Sequence, residues 1–97
     1  MAKLEETRGF PNKSADQLYA AFEPAFKKAG FQTWKLRPLG WLALAKRTDS
    51  GVDVQSTLSA RPGSPAAATL VISSEKHTQD QLHAWAAEIW QSLEQLG

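Results

Sequence analysis

Between Ser14 and Gly30 the apolar residues recur at helical spacing. Leu18, Ala21, Phe22, Ala25, Phe26 and Ala29 fall on one stripe. Ser14-Ala15-Asp16-Gln17 opens the segment as a capping box, in which Ser14 caps and Gln17 reaches back. Lys27 and Lys28 suit the negative end of the helix dipole, and Gly30 supplies the left-handed residue that ends the helix. Pro24 interrupts the stripe, because it lacks an N–H and its ring clashes with the preceding turn. The pattern therefore predicts a kink near Ala20 and Ala21, or a break at which Pro24 starts a second short helix.

After Gly30 the period falls to two. Phe31 to Leu36 alternates and is rich in aromatic and β-branched residues, which predicts a strand. Arg37-Pro38-Leu39-Gly40 reads as a tight turn. Trp41 to Lys46 follows as an almost wholly apolar strand, expected at the sheet centre or covered on both faces. Thr48-Asp49-Ser50-Gly51 is a hairpin connection. Val52 to Ser59 alternates, with Val52, Val54 and Leu58 toward the core and Asp53, Gln55, Thr57 and Ser59 away from it. Arg61 to Pro65 is a loop with a type II turn. Ala67 to Ser73 is the last strand, with Ala68, Leu70 and Ile72 on one face.

Thr78-Gln79-Asp80-Gln81 is a second capping box. The helix behind it places Leu82, Trp85, Ala86, Ile89, Trp90, Leu93 and Leu96 on a broad apolar face. At the other end, Ala2 to Phe10 forms a polar edge strand with Leu4 and Phe10 inward. The order is β-α-β-β-β-β-α, an α+β class. Four consecutive strands joined by short turns form an antiparallel meander, and both helices share its one apolar face.

The chain has 97 residues, enough for a single domain over 1–97. It has no cysteine, which removes disulfides, thiolate metal sites and a thiol nucleophile. Met1 to Glu6 contains no apolar stretch of the secretory kind. The longest apolar run, Gly40 to Ala45, is far short of the roughly 20 residues that span a bilayer. These features predict a soluble, cytoplasmic domain with no membrane partner. Net charge is only +1, but it is unevenly spread. Lys27, Lys28, Lys35, Arg37, Lys46, Arg47 and Arg61 face only Asp49 and Asp53 in the middle of the chain, while the last quarter is acidic. Solvated faces are the simplest account of this.

The order of elements resembles two known arrangements. One is the TATA-binding-protein-like fold. The other is the helix-grip fold of START and Bet v 1-like (polyketide-cyclase-type) proteins, here in reduced form. The resemblance rests on the capped helix Ser14 to Ala29, the meander Phe31 to Ser73 and the helix Thr78 to Leu96. It is one of topology, and it carries no functional residue across.

The chemistry-bearing residues form no catalytic constellation, no metal site and no cofactor motif. His77 and His83 are separated by six positions across a helix cap, which does not suit a metal pair, and both are expected at the surface. Glu5 and Glu6 point to opposite faces of a strand. A nucleic-acid partner is not expected, because the outward residues Asp53, Gln55, Thr57 and Ser59 are polar but not basic.

Four tryptophans are the most informative residues: Trp34 and Trp41 on neighbouring strands, Trp85 and Trp90 on the last helix. They fill the core, or they line an apolar cavity between sheet and C-terminal helix. The sequence thus points to a small non-enzymatic binding domain for an apolar small molecule, sited near these four residues. The alternative is a homodimerising or protein-partner module without a pocket.

Overall fold

The computed structural model describes residues 2–63 and 65–95. Leu96, expected on the last helix, lies outside the described residues, as does Ser64 in the loop expected to hold a type II turn. The elements are β1 (Ala2–Phe10), α1 (Ala15–Lys28), β2 (Gln32–Arg37), a 3-10 turn (Pro38–Gly40), β3 (Leu42–Asp49), β4 (Val52–Arg61), β5 (Ala66–Ser74) and α2 (Gln79–Gln95). The class is α+β, in the order that the sequence pattern predicts.

The five strands form one antiparallel sheet in the order β1-β5-β4-β3-β2. The meander β2 to β5 follows from its short turns. The seat of β1 beside β5 is a long-range pairing, from Ala2 opposite Ser74 to Phe10 opposite Ala66.

One sheet face is closed by both helices. Leu4, Phe10, Ala43, Ala45, Val54, Leu58, Ala60, Ala66, Ala68, Leu70 and Ile72 line it, all buried. α1 lies over β2 to β5, α2 lies over β1 and β5, and the helices touch each other. Phe22 and Phe26 of α1 and Ile89, Trp90 and Leu93 of α2 fill the space against it. Many inward strand positions are alanine, which brings the helix backbones close to the sheet.

β3 departs from expectation. It is next to the edge strand, and only one of its faces is covered: Ala43 and Ala45 are buried, whereas Leu42 and Leu44 are half-buried on the open face. The register puts the small residues of β3 under the helices and its leucines on the open side. β4 also has a surprise, since Ser56 is buried with Val54, Leu58 and Ala60.

Pro24 does not break α1, which runs as one helix of 14 residues. Pro24 and Ala20, whose carbonyl loses its partner, are both exposed, so water can satisfy that carbonyl. Both capping boxes form. Ser14 Oγ accepts from Gln17 N–H at 3.1 Å and Gln17 Oε1 from Ser14 N–H at 2.8 Å. Thr78 and Gln81 repeat the exchange at 3.2 and 2.9 Å.

The end of α1 is a Schellman motif. Phe31 N–H donates to Phe26 O at 2.8 Å and Gly30 N–H to Lys27 O at 3.0 Å, with Gly30 at φ 83°. The rings of Phe26 and Phe31 lie 6.0 Å apart and seal the motif with an apolar contact. Gly30 is also short of space, because a Cβ there would lie 2.9 Å from Arg47 Nη1. Gly30→Ala should therefore lower stability by about 1–2 kcal/mol from backbone strain, more if Arg47 cannot shift. Urea unfolding of the variant measures this, and an unchanged midpoint would show that neither constraint matters.

Candidate functional site

Arg47 is the densest polar junction of the inner face. Its Nη1 donates to Ala29 O at 2.7 Å, and its Nη2 stands 3.8 Å from Asp49 Oδ1. The guanidinium lies over the Trp85 ring at 4.7 Å and near the Phe31 ring at 5.8 Å. One side chain on β3 thus touches the end of α1, the entry to β2 and the first half of α2. Of the basic residues in the middle of the chain, Arg47 is the one drawn inward to such a role.

Beside it, His77 is buried, which corrects the expectation of a surface histidine; His83 is exposed as expected. Ser74 Oγ is 2.5 Å from His77 Nδ1, and His77 Nε2 is 2.9 Å from Asp49 Oδ2. An ionised Asp49 only accepts, so it favours the tautomer with a proton on Nε2, leaving Nδ1 to accept from the Ser74 hydroxyl. The register explains the meeting: Asp49 lies opposite Val52, Val54 lies opposite Ser74, and His77 follows three residues later. No local spacing in the sequence signals it.

A serine, a histidine and an aspartate in a row resemble a nucleophile with its base. The surroundings do not suit that chemistry. Ser74 and His77 are 4% and 9% exposed, and the Trp85 ring stands edge-on to the imidazole at 5.3 Å. The group instead fastens the ends of β3 and β5 to the chain entering α2. His77→Ala strands the Ser74 hydroxyl and one Asp49 oxygen, so a loss of about 1–3 kcal/mol in thermal or urea unfolding is expected. A variant as stable as the parent would show that the row contributes nothing.

The four tryptophans do not converge on one space. Trp90 is buried against Phe10, with ring centroids 6.2 Å apart, and its indole N–H donates to Glu6 Oε1 at 2.9 Å. Arg8 covers its other flank at 4.9 Å and pairs with Glu94 at 2.6 Å. Trp41 lies at the opposite edge of the sheet, φ 47°, with its indole N–H on Asp16 Oδ1 at 2.7 Å. Trp85 belongs to the Arg47 junction. Trp34 is exposed on β2, where the pairing with β3 shifts between Thr33 and Lys35. The strand pattern alone does not show that shift, and it leaves the indole outside the core.

A different feature has the marks of a ligand site. A cleft of about 640 Å³ opens between the second half of α1 and the start of β2, lined by Glu23, Pro24, Lys27, Phe31, Gln32 and Thr33. Thr33 lines it, and its Oγ1, buried behind the cleft surface, has no hydrogen-bond partner among the described residues. Thr33 faces Ala45, which faces Ser56, so the three share one cross-strand row on the inner face. Ser56 is only 2% exposed, and its Oγ also lacks a partner. Two buried orphan hydroxyls in one row are unusual, since buried polar groups are nearly always paired. Phe31 also stands edge-on to Trp85 at 6.2 Å, which links the cleft to one of the four tryptophans. Among the described residues, no three His, Asp or Glu side chains come together as a metal site.

No family model matches this chain, and no curated protein matches it. Solved structures do match in shape. The crystal structure of Ara h 8.0201 superposes with a TM-score of 0.69 at 7% identity, covering 96% of this chain and 95% of that one. The Aha1 dimer from Colwellia psychrerythraea gives 0.66 at 14% identity, covering 99% and 96%. A norcoclaurine synthase point mutant from Thalictrum, in complex with a transition-state analogue, gives 0.59 at 10% identity, covering 99% and 96%. Identities this low speak for the fold alone. Of the two arrangements that the element order resembles, these neighbours select one: the chain has the helix-grip fold of Bet v 1 and START-like proteins.

Proposed function

We propose that this chain is a non-catalytic binding domain that holds a small apolar molecule with one hydrogen-bonding group at the mouth between α1 and β2. The carrying observation is the orphan hydroxyl of Thr33 in that cleft, with the Ser56 hydroxyl behind it in the same row. Phe31, Pro24 and the stem of Lys27 offer the apolar wall. The hydroxyl lies just behind the cleft surface, so a ligand oxygen that displaces its local cover would supply the partner that it lacks among the described residues.

Support for a binding rather than a catalytic role comes from the cleft's own residues. Glu23 and Lys27 are its charged groups, and both are exposed on α1. The buried Ser74, His77 and Asp49 row stands apart from them. The norcoclaurine synthase neighbour acts on substrate with this fold, so a test for turnover belongs beside a test for binding.

Titration with 1-anilinonaphthalene-8-sulfonate and a panel of apolar alcohols and acids, read by tryptophan fluorescence, tests the proposal. Saturable binding is expected, with a signal that falls in Trp85→Phe. Thr33→Val should weaken it by about two- to tenfold, the worth of one neutral hydrogen bond. Ser56→Ala should leave the free protein as stable as before or more so, because it deletes an unpaired group. Absence of any saturable binding, or of any effect of Thr33→Val, would sink the reading.

A second reading has its own observation. The open sheet face carries Leu42, Leu44, Thr57, Ser59, Thr69 and Val71, a half-buried patch without charge. Lys35, Arg37 and Arg61 border this patch, so two copies meeting there about a two-fold axis must be set with those cations apart. The Aha1 neighbour is a dimer. Light scattering over a range of concentrations distinguishes the readings. A dimer that Leu44→Lys converts to monomer supports this one, and a monomer throughout excludes it.

A further inference from the structure

We propose that β2 and the turn after it form a docking edge for an anionic lipid surface. Leu39 is 99% exposed at the tip of the Pro38–Gly40 turn, with Trp34 at 52% and Leu36 at 44% on the strand leading to it. Leu36, Pro38, Leu39 and Leu42 line one open cleft of about 630 Å³ together with Lys35 and Arg37. Leu36 pairs with Ala43 and so leans to the helix side, while Lys35 and Arg37 lean to the open side; the cleft wraps this edge strand and brings apolar and basic groups to one rim.

The charge on this surface is of one sign. Lys35 and Arg37 pair with Leu44 and Leu42, which places them on the open face of the sheet. Ala60 N–H donates to Trp41 O at 2.9 Å, so Arg61 lies beside Gly40, and it shares the open face with Ser59. No acidic residue occurs between Glu23 and Asp49. Asp16, which reaches this end from α1, is held by the Trp41 indole. A negatively charged partner is the complement.

Two other occupants fit less well. A second copy meeting this edge about a two-fold axis would set Lys35, Arg37 and Arg61 against themselves. An added strand would meet the register shift at Trp34 and the cationic side chains, both of which discourage edge pairing. A bilayer surface accepts all the features at once. Leu39 enters the acyl boundary, Trp34 rests at headgroup level, and the three cations meet anionic headgroups. The sequence-based expectation of no membrane partner rested on the lack of a spanning segment, and no helix among the described residues is long and apolar enough to cross a membrane. Lying on a surface needs no such helix. One apolar tip and three cations give weak, reversible and salt-sensitive attachment.

Co-sedimentation of the whole chain with vesicles of phosphatidylcholine alone, and of phosphatidylcholine mixed with phosphatidylserine, tests this. Binding is expected to the mixed vesicles only, and it should vanish near about 1 M salt, where the screening length is about 3 Å. Lys35→Gln and Arg37→Gln should each weaken it about fivefold. Leu39→Asp should abolish it while leaving the melting temperature unchanged, since Leu39 is in solvent. The emission of Trp34 should shift to shorter wavelength on binding, a change missing in Trp34→Phe. A chain that stays in the supernatant with mixed vesicles at low salt overturns the proposal, even if the edge captures an acidic protein instead. Undiminished vesicle binding by Leu39→Asp overturns it as well.

Discussion

The structure depends on one constraint: a single face of the sheet must be closed by two helices at once. α1 and α2 touch each other as well as the strands beneath them, so neither has much freedom in height above the sheet. Alanines at 43, 45, 60, 66 and 68 on the strands, and at 21, 25 and 86 on the helices, set that height low. The large side chains then fill what remains between them. Enlarging one of these alanines would push a helix away from the sheet and disturb contacts well beyond its own.

Closure has polar fastenings at both ends. Near the β3–β4 hairpin, Arg47 joins α1, β2 and α2, and the Asp49, His77 and Ser74 row holds the start of α2 in place. At the β1 edge, Glu6 and Arg8 point toward the helix side and satisfy or cover Trp90. β2 receives less cover. It is the far edge strand, and almost all of it is exposed. The cleft and the apolar, cationic ridge both lie along this strand, which α1 covers on one side only and α2 does not cover.

The sequence made some of this legible and hid the rest for identifiable reasons. Ser14 with Gln17, Thr78 with Gln81, and Gly30 act within a few residues of themselves, so their spacing announces them. The alternation in Val52 to Ser59 gives the correct inward face because one side is buried and the other is not. Pro24 looked disruptive because the pattern does not say which side of the helix meets water. The apolar run from Trp41 to Lys46 suggested two covered faces, and in fact its leucines line the open one. His77 looked like an exposed residue before a cap, since its partners come from 28 and three residues away. Composition counts the tryptophans together, whereas the fold distributes them among opposite sheet edges, a helix junction and a shifted strand pairing.

By itself, the sequence determined the elements, their order and the apolar face of both helices and of β4 and β5, because these follow from periodicity and from bonds between near neighbours. It also determined the meander, because short turns leave consecutive strands no other partner. The tertiary structure alone decided that β1 pairs with β5, that Arg47 turns inward, that Asp49 and Ser74 meet at His77, and that Thr33 and Ser56 share a row with no hydrogen-bond partner among the described residues. These depend on register between strands distant in the chain. Register is fixed only when the whole apolar face closes, since a shift by one residue would turn every inward side chain out.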